Sequence, residues 1–491
     1  MDNIRNIMTM ALLTTALAAG AQNEDLFRNP AMQSFKHKSS RNEVALGYDY
    51  RQATEPMRLE QGDGHSRAFA HVDAYLHKGK ATLWGEADYS NGSTRNIQYC
   101  ETSDFELLYP YLMADTVGGK SKQEHYHFLG GFSYPLGERW HIGAEGSYTA
   151  LMEYRTRDPR PKNLTGDLKA KVATSYRIGK AQGGYVLGLA LGGRRYKQTN
   201  ELKLYNEVSV PTIYHLTGLG LDYYRFRGQN TSTYYKGYGV SMMLDLSRED
   251  LRGWFAHAEY GYQDIDKIIS SLNELPMANI REYREHASMG YRLGTMQDVL
   301  GFAFMEQWTR RRGKENIFGT AQDNVYPQIA TAAPYLANRV MGGVEMLYRH
   351  RSAKGSILEA RWNLRYTDEN QSHNTEGREM VSHAWGMGAS VDGRWSLGNW
   401  RLLANLAAGY EWSGGNRWKM GDANLDDKLM LPIVYYYEYL SHDRQNMAAT
   451  VEAGYAKDKR FTPFVRLGWQ YAAYRQGAHQ NELVATMGVK F

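Results

Sequence analysis

Four histidines in two stretches of alternating sequence have the residue type and spacing best suited to binding a metal ion. His125 and His127 stand two residues apart on one face of an extended segment, and His71 and His77 share a face of another. Imidazoles at such a spacing can share a metal ion when carboxylates or a further histidine join them. The alternative is a polar wall that lines water. The sequence assigns no further ligands, so it predicts no metal site and no cofactor.

Hydrolytic chemistry would need a serine or aspartate nucleophile paired with a histidine base. Serines and histidines are scattered along the chain, and no local pattern pairs them. The single cysteine, Cys100, excludes an internal disulfide and is interpreted as an unpaired loop residue. The sequence therefore predicts a protein that is not an enzyme, and a hydrolase is the least supported alternative.

Tyrosines are concentrated in two stretches, residues 204–239 and a shorter run near residue 431. Tyrosine combines a large rigid contact surface with a hydrogen-bonding hydroxyl. Such loops suit sugar stacking, docking of a partner protein, or a constriction folded inward; the alternative is that they pack on one another. The candidate contact residues are Tyr205, Tyr214, Tyr223, Tyr224, Tyr234, Tyr235, Tyr435, Tyr436 and Tyr437.

The elements that must position these side chains are extended strands, because apolar and polar residues alternate in segment after segment. In residues 400–412, one face begins at Trp400, ends at Trp412 and carries mainly small aliphatic side chains between them. Ten residues of strand rise about 34 Å, which a tilt near 40° reduces to roughly 26 Å. That height matches the apolar band of ~25 Å between the aromatic girdles of a transmembrane barrel. A soluble sandwich has no reason to place aromatics at both ends of a stripe.

About eighteen such segments follow one another to the last residue, with 16 or 14 as alternatives. Short connections are predicted at 77–80, 135–139, 178–181, 246–251, 393–399 and 456–459, and long ones at 52–66, 90–122, 197–230, 263–280, 312–337 and 413–444. Short turns are typical of the periplasmic side and long loops of the outside. The sequence thus predicts an all-β protein that forms a single transmembrane antiparallel β-barrel.

The chain ends predict the compartment. Residues 1–21 have an apolar stretch and an Ala-Gly-Ala site typical of a cleavable signal peptide, with cleavage expected after Ala21. Residues 22–41 are predicted to form a periplasmic N-terminal segment or plug, and 42–491 the barrel. The last nine residues alternate and end on Phe491, typical of a closing strand whose terminal aromatic is the signal read by the barrel-assembly machinery. We expect a bacterial outer-membrane location, in contact with lipid and lipopolysaccharide.

The charge of the chain argues against nucleic-acid binding but does not decide whether the lumen is open. The net charge of +5 is small and spread along the chain, which gives no case for nucleic-acid binding. The predicted lumen face is rich in charges of both signs. It either lines a water-filled pore or is plugged by mutual salt bridges and inward-folded loops, and the sequence leaves both possibilities open.

The run from Val210 to Gly218, with the Tyr- and Gly-rich stretch to Gly239, resembles a family of uncharacterised outer-membrane β-barrels from Bacteroidota, often encoded near TonB-dependent receptors. Residues 28–32 are also similar to the start of fatty-acid-transporter-like and type IX secretion barrel proteins. The resemblance implies compartment and architecture, and no catalytic or binding residues. We expect a non-enzymatic pore or accessory uptake protein for a small solute, with a TonB-dependent receptor or other surface complex as a possible partner. The alternative is a structural or docking subunit of a surface-protein export, assembly or uptake complex.

Overall fold

The computed structural model describes residues 25–179, 183–206, 210–228, 232–295, 297–323, 325–457, 460–475 and 477–491. Across this part, eighteen antiparallel strands, each paired with its neighbours in sequence, close into one barrel. The strands are β1 Arg41–Ala53, β2 Gly64–Lys78, β3 Ala81–Ile97, β4 Gly119–Pro135, β5 Trp140–Arg155, β6 Arg160–Ile178, β7 Tyr185–Lys203, β8 Thr233–Arg248, β9 Gly253–Ile269, β10 Leu275–Gly294, β11 Asp298–Phe318, β12 Gln328–Arg351, β13 Ile357–His373, β14 Arg378–Leu397, β15 Trp400–Ser413, β16 Arg444–Tyr455, β17 Thr462–Tyr474 and β18 His479–Lys490. The predicted fold is confirmed, and the predicted signal peptide lies outside the described residues.

The last strand closes the barrel by pairing with the first. β1 and β18 run antiparallel, with Glu43 opposite Lys490 and Gln52 opposite Asn481. Phe491 extends this ladder, because its backbone N–H donates to the carbonyl of Asn42 at 3.0 Å. Closure leaves no unpaired strand edge, which a structure inside a bilayer requires.

The outer wall of the barrel is apolar and carries aromatic pairs at one end. Three pairs join neighbouring strands at the short-turn end of the barrel: Trp140 with Tyr176, Trp254 with Tyr291, and Trp400 with Tyr455. Leu406, 61% exposed, and many other large apolar side chains cover the wall beyond them. An apolar band around the whole circumference, bordered by aromatics, is the surface that a bilayer covers.

No helix in the part of the chain that the structure describes is long and apolar enough to cross a membrane.

The strands at the long-loop end continue further than the sequence indicated. The predicted long loops 263–280 and 312–337 are wrong in extent, because β9 and β10 are separated only by 270–274 and β11 and β12 only by 319–327. Above the apolar band the outward face becomes polar, so the alternation disappears while the ladder continues, as between Asp266 and Asn279. For the same reason 233–239 belong to β8 instead of a loop.

Two inward-folded segments occupy the lumen, one at each end of the barrel. Residues 98–118, named here the outer plug, contain the helix α1 Phe105–Leu108 and the short strand Met113–Ala114, which pairs with Tyr214–Gly218. Residues 25–37, named the inner plug, contain the 3-10 helices Asp25–Arg28 and Pro30–Phe35. The remaining short elements are the 3-10 helices Leu59–Gln61, Tyr224–Phe226, Ser270–Leu272 and Asn374–Glu376, the helix α2 Leu431–Ser441, and the short strands Leu221–Asp222 and Arg417–Lys419. The sequence did not decide whether the lumen is a water-filled pore or is plugged, and in the structure it is plugged.

Candidate functional site

A cavity of about 650 Å³ lies in the lumen against the outer plug. Four parts of the chain line it: the outer plug, residues 57–61 of the first long loop, the helix α2, and polar side chains of the barrel wall. The first loop and α2 meet through a cation–π contact, in which the Arg58 guanidinium lies 3.1 Å from the ring centroid of Tyr436. A volume of this size suits a small solute.

The charges that line the cavity are unequal in number. Eight Lys and Arg side chains face six Asp and Glu side chains. Three of the carboxylates each pair with two cations, so each of these groups keeps one uncompensated positive charge. The groups are Glu282 with Arg284 and Arg311, Asp167 with Lys169 and Arg194, and Glu411 with Arg365 and Arg444. The cavity is therefore positively charged.

Arg365 on β13 has free hydrogen-bonding capacity at the cavity wall. Its Nη2 donates to Glu411 Oε2 at 2.7 Å, and the side chain is only 8% exposed. Its Nε and Nη1 are buried and have no acceptor among the residues that the structure describes. A buried guanidinium N–H without an acceptor is costly, and an anion in the cavity would supply an acceptor at Nε or at Nη1.

Two loop carboxyls beside the cavity favour their neutral forms. Burial raises the pKa of Asp104, whose Oδ2 accepts a hydrogen bond from Tyr196 Oη at 2.7 Å. Burial also raises the pKa of Glu60 to about 7, although the charge of Arg58 opposes that shift. With a pKa of about 7, the Glu60 carboxyl is partly neutral near neutral pH, which lowers the negative charge beside the cavity.

The outer plug is fixed to the wall by a buried ionic group. Arg155 on β5 lies 2.5 Å from Asp115 and also contacts Glu101, and all three side chains are at most 3% exposed. The side chains of Asn163 and Asn200 donate to the carbonyl of Glu101 at 2.9 and 2.7 Å. Buried charges are tolerated only when paired and hydrogen-bonded in this manner.

An apolar core on the barrel axis reinforces these polar contacts. Leu108, Tyr111 and Leu112 of the outer plug are fully buried against wall residues that include Tyr235 and Ile269. Tyr235 Oη donates to the Tyr111 carbonyl at 2.8 Å. The buried hydrophobic core of this protein thus lies inside the barrel, at its long-loop end.

The inner plug rests on wall strands near the short-turn end. Asn29 caps its second 3-10 helix by accepting from Ala31 N at 3.0 Å, and donates to Asp245 Oδ2 at 2.7 Å. A Cβ at Gly143 would lie 2.5 Å from the backbone of Pro30, and one at Gly188 would lie 2.7 Å from Asn29 Nδ2. Glycine at these two wall positions is what allows the plug to approach.

Only one of the nine candidate tyrosines lines the cavity, namely Tyr436 on α2. Tyr205 and Tyr224 are 64% and 77% exposed, and each lies against an arginine, Arg160 at 4.2 Å and Arg227 at 4.9 Å. The others contact side chains of the loops, of the strand ends or of the outer plug. Tyr214 lies 5.6 Å from Arg227, Tyr223 stacks on Phe226, Tyr234 contacts Glu274, Tyr235 belongs to the outer-plug core, Tyr435 lies 3.7 Å from Arg475, and Tyr437 stacks on Trp418.

The four histidines named from the sequence do not converge on one site, but His71 and His127 both lie beside Asp88, whose ligand atom is within 4.8 Å of that of His127. His71 Nδ1 lies 2.5 Å from Asp88, His77 binds the carbonyl of His37, and His127 Nδ1 lies 2.8 Å from Thr149 Oγ1, while His125 lines the cavity. Sequence reasoning missed the cavity arginines. Alternation marks Arg365 as lumen-facing, but nothing in the sequence shows which strands it faces.

Fold and site together define a transmembrane β-barrel of the outer-membrane type whose lumen is closed by its own loops. The chain belongs to the family described as a family of unknown function (DUF6850), which it matches over residues 30–491. No curated protein matches it.

Solved structures of similar shape are large outer-membrane receptors and transporters. BauA, the ferric preacinetobactin receptor from Acinetobacter baumannii, is 7% identical with a TM-score of 0.43, over 92% of this chain and 80% of that one. The outer membrane transporter YddB from Escherichia coli is 8% identical with a TM-score of 0.41, over 91% and 81%. The copper transporter OprC is 8% identical with a TM-score of 0.40, over 93% and 84%.

Proposed function

We propose that this protein resides in a bacterial outer membrane and takes up a small anionic solute through a lumen that is closed at rest. The observation that carries the proposal is the positively charged cavity, in which two buried nitrogens of Arg365 have no acceptor in the described part of the chain. Guanidinium groups bind carboxylates and phosphates through paired, charge-assisted hydrogen bonds. The solute class is therefore a small carboxylate, phosphate or sulfonate.

The plugs support gated passage over a permanently open pore. The outer plug fills the long-loop end of the lumen with fully buried side chains, so a solute can pass only if loops move. The cavity then holds the solute on the fixed outer plug, while the surrounding loops and the inner plug exchange between closed and open arrangements. A TonB-dependent receptor or other surface complex is a proposed partner for that step.

Single-channel recording in planar bilayers tests the proposal. In a KCl gradient we expect brief openings whose zero-current potential shows preference for chloride over potassium. Arg365→Met should lower that preference, whereas Lys171→Met, which removes a lumen cation outside the cavity, should leave it unchanged. Cation-selective openings, or equal effects of both substitutions, would contradict the proposal.

A second candidate function is docking of a partner protein on the extracellular rim. Tyr205 with Arg160, and Tyr224 with Arg227, present exposed aromatic and guanidinium groups together. Tyrosine and arginine are enriched among the residues that dominate binding energy at protein interfaces. Stoichiometric co-purification of a partner after mild detergent extraction, lost in a Tyr205→Ser, Tyr224→Ser variant, would support docking; a lone monomer would count against it.

A further inference from the structure

Three potential metal ligands converge where the inner plug meets the barrel wall. Asp25 comes from the plug, His257 from β9 and His286 from β10. Their ligand atoms all lie within 4.8 Å of one another, and His286 Nε2 is 2.9 Å from Asp25 Oδ2. Asp25 and His257 are buried, and His286 is partly buried. A carboxylate and two imidazoles form a donor set that divalent transition metals prefer.

His257 is oriented as a ligand by a second carboxylate. Its Nδ1 lies 2.7 Å from Asp245 Oδ1, so that nitrogen carries the proton. The opposite nitrogen, Nε2, then has a free lone pair. It is buried and has no hydrogen-bond partner among the described residues, in a side chain that is 0% exposed. A carboxylate behind a histidine whose other nitrogen is free is the usual surrounding of a metal-bound imidazole.

The remaining contacts complete this arrangement without competing for His257 Nε2. Asn29 Nδ2 donates to Asp245 Oδ2 at 2.7 Å, and Ser288 Oγ donates to Asp25 Oδ2 at 3.0 Å. Arg28, the nearby cation, is paired with Glu259 at 2.7 Å. By contrast, the buried cluster of Asp49, His65 and Glu482 has Arg67 Nη2 only 2.8 Å from the His65 ring, and that charge would repel a cation.

We infer that Asp25, His257 and His286 bind one divalent transition-metal ion of the Zn²⁺ type, which ties the inner plug to the wall. Metal–ligand bonds of about 2.0–2.1 Å need ligand atoms roughly 3.3 Å apart, so small side-chain movements bring three groups that already lie within 4.8 Å of one another to bonding distance. Two ligands are on adjacent wall strands and the third is on the plug. The ion therefore fastens a segment that is joined to the barrel only through β1. This site is independent of the proposed solute function.

Zn²⁺ titration of the chelator-stripped, detergent-purified protein tests the inference, by calorimetry and by metal content after gel filtration. We expect one tightly bound Zn²⁺ per chain in the wild type. His257→Ala and Asp25→Asn should abolish it, and Asp245→Asn should weaken it about 10–100-fold because the histidine loses its orienting partner. His125→Ala, which removes a lumen histidine outside the cluster, should bind as the wild type does.

Folding of each variant is checked separately by heat-modifiable migration on gels. Asp25→Asn alters a residue of the inner plug and leaves every barrel strand unchanged. Visible absorption of bound Co²⁺ should report tetrahedral coordination in the wild type and be absent in His257→Ala. Absence of binding by the wild type would overturn the inference. Zn²⁺ binding unchanged by both Asp25→Asn and His257→Ala would overturn it as well.

Discussion

The two plugs close the same lumen by different physical means. The outer plug is continuous with a wall strand at each end, and its apolar side chains form the main buried core of the molecule. The inner plug is joined covalently to the barrel only through β1, and contacts the wall through polar groups such as Asn29 and Asp25 and through a smaller set of buried apolar side chains. That set is Leu26, Phe27, Ala31 and Met32.

This difference indicates which plug is structural and which can be released. Displacing the outer plug exposes fully buried Leu108, Tyr111 and Leu112, each worth about 1.5–3 kcal/mol of burial. Displacing the inner plug also exposes buried Leu26, Phe27 and Met32, but water can replace its polar contacts and the segment is tethered to the barrel at one end only. We therefore assign the outer plug to the permanent scaffold of the cavity and the inner plug to the movable side.

The largest expected effect comes from removing the outer plug. Replacement of residues 99–117 by a short Gly-Ser turn should convert rare openings into large, steady conductance steps, because the chain that fills the lumen is gone. Deletion of residues 22–37 should leave conductance low. Planar-bilayer recordings compare the two variants directly. Equal conductance in both would break the distinction between the plugs.

The ionic group that fixes the outer plug gives the next effect. Arg155→Met leaves Glu101 and Asp115 buried without a cation, which should destabilise the packed plug by about 3–5 kcal/mol. Hydrogen exchange of residues 98–118 measures this change. Arg160→Met is the matched control, since its pair with Asp158 is 41% exposed on the arginine side and should contribute at most about 1 kcal/mol. Similar exchange in the two variants would argue against a scaffold role for Arg155.

A smaller effect is expected at the inner plug. Asn29→Ala removes a helix cap and the bond to Asp245, and should loosen residues 25–37 by about 1–2 kcal/mol. Hydrogen exchange should rise there and stay unchanged in 98–118. Lys36→Ala on the same segment should change exchange little. Faster exchange in both plugs would show that they are coupled, contrary to their assigned roles.

The smallest effect is a pH dependence of the first long loop. Burial raises the pKa of Glu60 to about 7, so the packed loop favours the neutral carboxyl. Loop packing is then strongest below the ordinary carboxyl pKa and weakens as pH rises through about 7. Hydrogen exchange of residues 54–63, corrected for the intrinsic rate, should increase over that interval. Glu60→Gln should remove the dependence, and its persistence in that variant would point to another group.

The barrel could be predicted from the sequence because the bilayer imposes a repeating pattern on every strand. The stripe from Trp400 to Trp412 and the alternation up to Phe491 are apolar on the face that contacts lipid. The extensions of β9 to β12 could not be predicted, since their outward faces meet water. The cavity could not be predicted either, because Arg365 and Glu411 are 46 residues apart and meet across Gly386 of β14 through a strand register that the sequence does not reveal. The concentration of tyrosines marked loops that fold inward, without showing that Tyr436 alone of the nine candidates would line the cavity.

Anion binding at Arg365 is best tested by anomalous diffraction from crystals soaked in bromide, because the bromide peak locates an anion relative to both plugs. We expect a bromide peak inside the cavity, within hydrogen-bonding distance of Arg365 Nε or Nη1, with the outer plug in place. In Arg365→Met crystals that peak should be absent. A cavity without bromide, or protein side chains bound to both Nε and Nη1 of Arg365, would contradict anion binding in the cavity.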